Sequence, residues 1–250
     1  ARKHSLSFAN AETLVPALLA YQALLRATGA DSMIVMNTSL RDGLLLDVAR
    51  QVTGQEDPRL AQSTIQSAEL IGEKYRNDTK HAHHVADLAV RLFDEMKTEH
   101  RLPPRARLLL HAAAILHEIG DFVSPQAHHK HSYYLISNAA VFGLQRDELR
   151  IVAHVARYHR RSMPKPFHLD YAALPREQRM VVNKLAALLR VADALDRAHT
   201  QHIRNFTVER RRGELVLYVK GVVDFAIERR ALANKADLFE DMYGMKVRVE

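Results

Sequence analysis

The run Ala113-Ala114-Ile115-Leu116-His117-Glu118-Ile119-Gly120 decides how the rest of the chain is read. An otherwise apolar helix ends there in an imidazole and a carboxylate, and a buried carboxylate is costly unless it is paired or bound to a metal. Two other segments offer it company. Upstream, His81 is followed by Val85, Leu88 and Leu92 at i+4, i+7 and i+11, which turns its ring to the apolar face of a helix. His83 falls off that stripe and His84 lies at its edge. Downstream, Leu185, Leu189 and Asp193 follow at i+4 steps, so Asp193 also faces inward, with Asp196 nearly one turn further on. A single inward histidine is more often a hydrogen-bonded core residue than a ligand. Three helices that each send His or carboxylate into one core point instead to a metal or acid–base centre. The chain has no cysteine, so such a centre has imidazole and carboxylate to work with, a donor set that suits zinc, manganese, iron or, with more water, magnesium.

Between these helices lie His128-His129-Lys130-His131, and then His154 and His159 within Val152-Ala153-His154-Val155-Ala156-Arg157-Tyr158-His159-Arg160-Arg161. Two readings stay open. His128 or His131, with His154 or His159, completes a second metal position or contacts phosphate, while Lys130, Arg157, Arg160, Arg161 and Lys165 form an anion funnel beside it. Alternatively the stretch is a solvated basic surface. Fifteen histidines and a formal charge of +7, with an isoelectric point near 9.7, favour an anionic partner such as polyphosphate, a nucleotide or nucleic acid, without choosing among them. The absence of Trp, 6% aromatic content and the lack of a recognised docking motif argue against nucleic acid.

Periodicity organises the rest. From Pro58 to Thr200 apolar residues recur at three- and four-residue spacing, which predicts helices over Arg59–Arg76, Thr79–His100, Pro104–Ile119, His131–Val141, Arg146–Arg160 and Arg176–His199. Asp78 is suited to cap the second, and Gly120 to end the third as a C′ glycine. Before this domain, Ala11–Thr28 reads as a helix, Met33-Ile34-Val35-Met36 as a short buried strand, and Leu44 to Val52 as another helix; Gly54 to Pro58 reads as a linker. After it, alternation at Ile203, Phe206 and Val208 and then Leu215, Leu217 and Val219, around Arg210-Arg211-Arg212-Gly213, signals a hairpin. A helix over Asp224–Phe239 and a strand over Lys246–Val249 complete a small α+β unit. The expected domains are therefore 1–52, 53–200 and 201–250. No apolar run is long enough to span a membrane, the first residues do not lead into a signal-peptide core, and the cysteine-free composition fits a cytoplasmic protein.

His81, His117-Glu118 and Asp193 together resemble the H…HD…D signature of the HD phosphohydrolase superfamily. The doublet here is His-Glu instead of His-Asp, and the extra methylene moves the carboxylate by over ~1 Å. A closer resemblance, over most of the chain, is to the C-terminal region of the exopolyphosphatase / guanosine pentaphosphate phosphohydrolase family. Its carriers, in order, are Ser39-Leu40-Arg41-Asp42-Gly43-Leu44-Leu45, Leu116 to Gly120, His128 to Ile136, Ala156 to Arg161, and Leu188 to Arg197. The resemblance implies a mostly α, HD-domain-like helical bundle, preceded by the terminal piece of an actin-like phosphatase domain and followed by the small α+β unit. It implies a phosphohydrolase of polyphosphate or guanosine pentaphosphate, acting as a homodimer. In that family the main phosphate-binding loops and catalytic Glu lie in the actin-like domains, upstream of the residues here. What the bundle would then supply is a metal-dependent site: His117, Glu118 and Asp193 as catalytic residues, a divalent ion on His81, His117, Glu118, His128, His154 and Asp193, and substrate on Lys130, His131, Arg157, His159, Arg160 and Arg161. The alternative is a non-catalytic module for polyphosphate binding and dimerisation.

Overall fold

The computed structural model describes residues 8–34, 39–53, 57–221 and 224–250. The chain divides into two compact units, residues 1–52 and 53–250. In the first, α1 (Phe8–Thr28) is followed by α2 (Leu40–Thr53). Half of the expected strand, Val35 and Met36, lies outside the described residues, and Met33 and Ile34 are irregular. Helix α2 starts one turn earlier than periodicity suggests. The Ser39 amide donates to Asp42 Oδ2 at 2.8 Å and the Asp42 amide to Ser39 Oγ at 3.3 Å, a reciprocal cap that fixes the first turn ahead of the apolar run.

The second unit is a helical bundle with a small three-stranded sheet, the mostly α architecture with an appended α+β element that the sequence predicts. Helix α3 (Pro58–Lys74) is capped by Asp57, whose carboxylate accepts from the Arg59 amide, and Pro58 occupies its first position. Asp78 caps α4 (Thr79–Glu95) by accepting from the His81 amide at 3.1 Å. The expected helix to His100 breaks at Met96, and Lys97–His100 forms a separate turn, α5. The buried His100 ring holds that break, with Nε2 against Phe93 O at 2.9 Å and Nδ1 accepting from the Leu102 amide at 2.8 Å. Helix α6 (Arg105–Leu116), nearly all Ala and Leu inside, runs through the core and packs against α3 and α4.

A 3-10 turn over Ile119–Phe122 leads to α7 (His128–Ser137), then α8 (Arg146–Arg157), the short α9 (Leu169–Ala172) and α10 (Arg176–Leu195). Helix α8 stops three residues before the predicted end, so His159, Arg160 and Arg161 sit in a loop. Strands β1 (Phe206–Arg211) and β2 (Glu214–Val219) form the predicted hairpin, with Gly213 at φ 77° in its turn. Helices α11 (Ala226–Lys235) and α12 (Asp237–Tyr243) then carry the chain over to β3 (Lys246–Val249), which pairs parallel to β2 with Leu215 opposite Val247. One helix was expected where these two stand. The break comes where the Asp237 carboxylate reaches Arg190 Nη1 at 2.6 Å while accepting from the Leu238 amide at 2.8 Å. Helix α10 packs against α4, α8, α11 and α12, so it joins the bundle to the α+β element. Among the described residues no helix is long and apolar enough to cross a membrane.

Candidate metal centre and its cleft

Four side chains from three helices meet in the core. His81 comes from the first turn of α4, His117 and Glu118 from the end of α6, and Asp193 from the last turn of α10; all four are buried. One potential ligand atom from each lies within 4.8 Å of the others. The two rings are held by their Nδ1 atoms. His117 Nδ1 is 2.6 Å from Ala114 O, and a carbonyl only accepts, so the proton is on Nδ1. His81 Nδ1 is 2.8 Å from Asp196 Oδ2, and that carboxylate is fixed in turn by the Gln201 amide at 2.8 Å. In the neutral rings both Nε2 atoms carry the lone pair, and both are buried without a hydrogen-bond partner. His81 Nε2 stands 3.7 Å from Glu118 Oε2 and 3.8 Å from Asp193 Oδ1, and His117 Nε2 is 4.0 Å from Glu118 Oε1. Those gaps are too long for hydrogen bonds, but ligands sharing one ion at about 2.0–2.2 Å stand roughly 3 to 4 Å apart. An oriented Nδ1–H with Nε2 turned to a shared centre is how histidine ligands are held.

The electrostatics follow from burial and neighbours. Burial pushes the His117 ring below the ordinary histidine value, and pushes His159 well below it. For His81 burial pulls the same way, but the bond to Asp196 and the charges of Glu118 and Asp193 outweigh it and the net direction is up. The Asp193 carboxyl would be raised by burial. The Lys235 ammonium, with His159 and His117, instead holds it far below the carboxylate range. Lys235 ion-pairs directly with Asp193 Oδ2, the oxygen not turned to His81.

A second group, Glu118, His128 and His159, adjoins the first. His159 Nδ1 is 2.6 Å from Ala156 O, and His128 Nδ1 is 2.7 Å from Asp121 Oδ1, which turns both Nε2 atoms to each other at 3.1 Å. Two such acceptors repel unless a proton or a cation lies between them. Of the open alternatives, His128 and His159 are therefore the pair brought to the centre. His154 is not: it sits on α8, buried among Tyr133, Tyr158 and Tyr171. His131 lies one turn along α7 from His128 and outside both groups.

A cleft of about 650 Å³ opens from this second group to the surface. Arg160 and Arg161 line it, as the funnel reading expects. Lys130, exposed on α7, and Arg157 do not; the Arg157 guanidinium lies over the Tyr133 and Tyr158 rings, 5.1 and 5.9 Å from their centroids. The opposite wall is one face of α11, with Ile227, Arg230, Ala231 and Asn234 at helical spacing, then Lys235, and Arg197 just beyond α10. Sequence reading missed these residues, as it missed Asp196 in its orienting role and His199, whose ring stacks on His81 at 3.6 Å. The helical spacing on α11 was visible, but nothing local tied that face to the histidines.

Fold and site together define a helical-bundle protein with a buried His–carboxylate centre opening into a basic cleft. Residues 63–234 match the family model for Ppx/GppA phosphatase, domain III. The chain belongs to that family. It is 25% identical over 169 residues to the guanosine-5'-triphosphate,3'-diphosphate pyrophosphatase of Photobacterium profundum, covering 68% of this chain and 31% of the relative. The protein of the same name from Pseudoalteromonas translucida is 28% identical over 173 residues, covering 68% and 32%, and that from Aeromonas hydrophila 27% over 190 residues, covering 75% and 36%. The chain thus spans about a third of the length of these curated relatives.

Proposed function

We propose that this chain is the C-terminal, HD-like portion of a phosphohydrolase acting on phosphoanhydrides, guanosine pentaphosphate or polyphosphate, and that its His–carboxylate centre is a metal-dependent phosphohydrolase site. The observation that carries the reading is the pair of buried, unpartnered Nε2 atoms of His81 and His117 aimed at Glu118 and Asp193. Residues 1–52 are read as the last piece of an actin-like domain, 53–200 as the HD-like domain and 201–250 as an appended subdomain, within a homodimer.

His81, His117, Glu118 and Asp193 would hold a divalent ion, zinc, manganese, iron or magnesium, and that ion would lower the pKa of a bound water and polarise a phosphoryl oxygen. The remaining chemistry belongs to the chain. Asp196 and Ala114 O hold the two imidazoles in one tautomer, and Lys235 neutralises the outer oxygen of Asp193. The facing Nε2 atoms of His128 and His159 suit a second cation, or one shared proton that can pass to a leaving oxygen at the cleft. Arg160 and Arg161 offset the charge of the substrate phosphates.

The second reading, a binding and assembly module without turnover, has its own observation: the Lys235 ammonium already supplies a cation to Asp193. Elemental analysis of the purified chain and of His117→Ala, with phosphate release from polyphosphate and guanosine pentaphosphate, separates the two. The catalytic reading expects stoichiometric metal and release in the wild type and loss of both in the variant. Absence of metal and of release would leave the module.

A further inference from the structure

His81 is the one member of the centre that stands at a helix start. It lies in the first turn of α4, where backbone amides have no partner within the helix, and it is 1% exposed although Asp78, Thr79 and Lys80 before it face solvent. His117 is fully buried, with the His81 and His159 rings against it. His81 has the Asp196 carboxylate at its edge, but one bond along Nδ1 leaves the plane of the ring free to turn about that line.

His199 sets the plane. Its ring lies 3.6 Å from that of His81 and 5° from parallel. The His199 side chain is 35% exposed, so it stands between His81 and solvent. It is fixed in turn: His199 Nδ1 is 3.1 Å from Asp78 Oδ2, and a carboxylate accepts, so Nδ1 donates. The other oxygen of Asp78 accepts from the His81 amide at 3.1 Å. One carboxylate thus ties the backbone of His81 to the ring that covers its face.

The backbone carrying His199 holds a shape that residues with side chains rarely adopt. His199 has φ 54° and Gln201 φ 53°, two left-handed residues within three. The others among the described non-glycine residues, Arg76, Arg101 and Ala127, each adjoin a helix end. Asp196 pins the loop. Its Oδ1 accepts from the Gln201 amide at 2.8 Å, its Oδ2 from Gln201 Nε2 at 3.1 Å, and its carbonyl from the His199 amide at 3.0 Å. Strained backbone persists where its surroundings over-determine it, and here the contacts that hold it converge on His81.

We infer that His199 is a positioning residue of the centre: with Asp78 it forms a clamp that fixes the plane of the His81 ring and so aims Nε2 between Glu118 and Asp193. The loop 196–201 is then part of the centre as well as the connection from α10 to β1. The inference rests on the reading of that centre as a divalent-metal site. A clamp of this kind raises affinity because the ligand ring is already ordered before the ion arrives.

The test uses cobalt(II), whose absorption reports the ligands around it. Its dissociation constant is measured on the full chain at neutral pH for the wild type, His199→Ala, His199→Phe and His83→Ala. His199→Ala should weaken cobalt binding by about tenfold, as for the loss of a residue that orients a metal ligand. His199→Phe keeps a ring on His81 and should bind within about threefold of the wild type. His83 is half-exposed on the same helix, and its loss should leave the constant unchanged. Equal binding by the wild type and His199→Ala, or an equal loss in the Ala and Phe variants, would overturn the inference. The His81 ring is followed alongside by nitrogen NMR in the chelated, metal-free chain. In His199→Ala its signals should shift and broaden while those of His117 move far less; an unmoved His81 ring also overturns the clamp. A wild type that binds no cobalt, yet whose His81 ring is released in His199→Ala, would remove the metal site and leave His199 in its positioning role.

Discussion

At the scale of single residues, burial sets the chemistry. His154 is 1% exposed, and burial, reinforced by the Arg157 charge, pulls its pKa down from 6.5 to about 4. A histidine with a depressed pKa resists protonation only in the folded state. Its contribution to stability is therefore fully present above pH 6.5 and is lost as the pH falls towards 4. At 1.36 kcal/mol per unit this amounts to about 2 to 3 kcal/mol by pH 4.5. Replacing His154 with Phe, which packs against the same tyrosines, should flatten that part of the stability curve. Urea unfolding at pH 7 and pH 4.5 checks it: the wild type should lose about 2 to 3 kcal/mol more than the variant over that interval, and parallel curves would sink the idea. The same burial sets His154 outside both groups of potential ligands, with tyrosines for neighbours where His159 has Glu118 and His128.

At the scale of elements, the junction between α6 and α7 builds the centre. Gly120 was expected to close α6 in a left-handed conformation. Its φ is not positive, and α6 ends four residues earlier. The glycine is required for another reason: a Cβ there would collide with the backbone of α7, at His128 O and the Ser132 amide. That close approach is tied by Ser132 Oγ, which donates to His117 O at 2.7 Å and accepts from the Gly120 amide at 2.9 Å. His117, Glu118 and His128 are thus set by one backbone contact. Gly120→Ala must push α7 outward, at a cost of about 1–3 kcal/mol for overpacking. Chemical shifts of the His128 ring should move while those of His81 stay. An unchanged melting temperature would show that the junction yields more readily than its geometry implies.

At the scale of the whole second unit, one buried arginine fastens the cleft. Arg190 is fully buried on α10, donating from Nε to Tyr158 O at 2.6 Å, from Nη2 to Ser162 O at 2.7 Å and from Nη1 to Asp237 at 2.6 Å. Burial draws its pKa down to about 10, so it stays charged at neutral pH. It ties the loop carrying His159, Arg160 and Arg161 to the start of α12, and so holds both cleft walls at one distance. Arg190→Met removes the fork and leaves two carbonyls and a carboxylate without their donor. A loss of about 2–5 kcal/mol is expected, from two carbonyls left without a donor at about 1–3 kcal/mol each, the half-exposed Asp237 being open to water. Limited proteolysis with trypsin should then cut at Arg160 or Arg161 well before the rest of the unit; an uncut loop would mean that another contact holds it.

The sequence by itself determined the helices and the faces they bury, because helical periodicity is a local property that each segment carries alone. It therefore placed His81, His117, Glu118 and Asp193 inward on three helices, and it determined the hairpin and the last strand. Choices that depend on distant partners were decided only by the tertiary structure. Whether His154 or His159 reaches the centre turns on where α8 stops. Arg157 leaves the cleft because two tyrosines take its charge. Helices break at Met96 and Ala236 where side chains find partners outside their own turn. The α11 face meets the cleft histidines across about 70 to 100 residues of chain, held by an arginine whose role appears only when α10 meets α12.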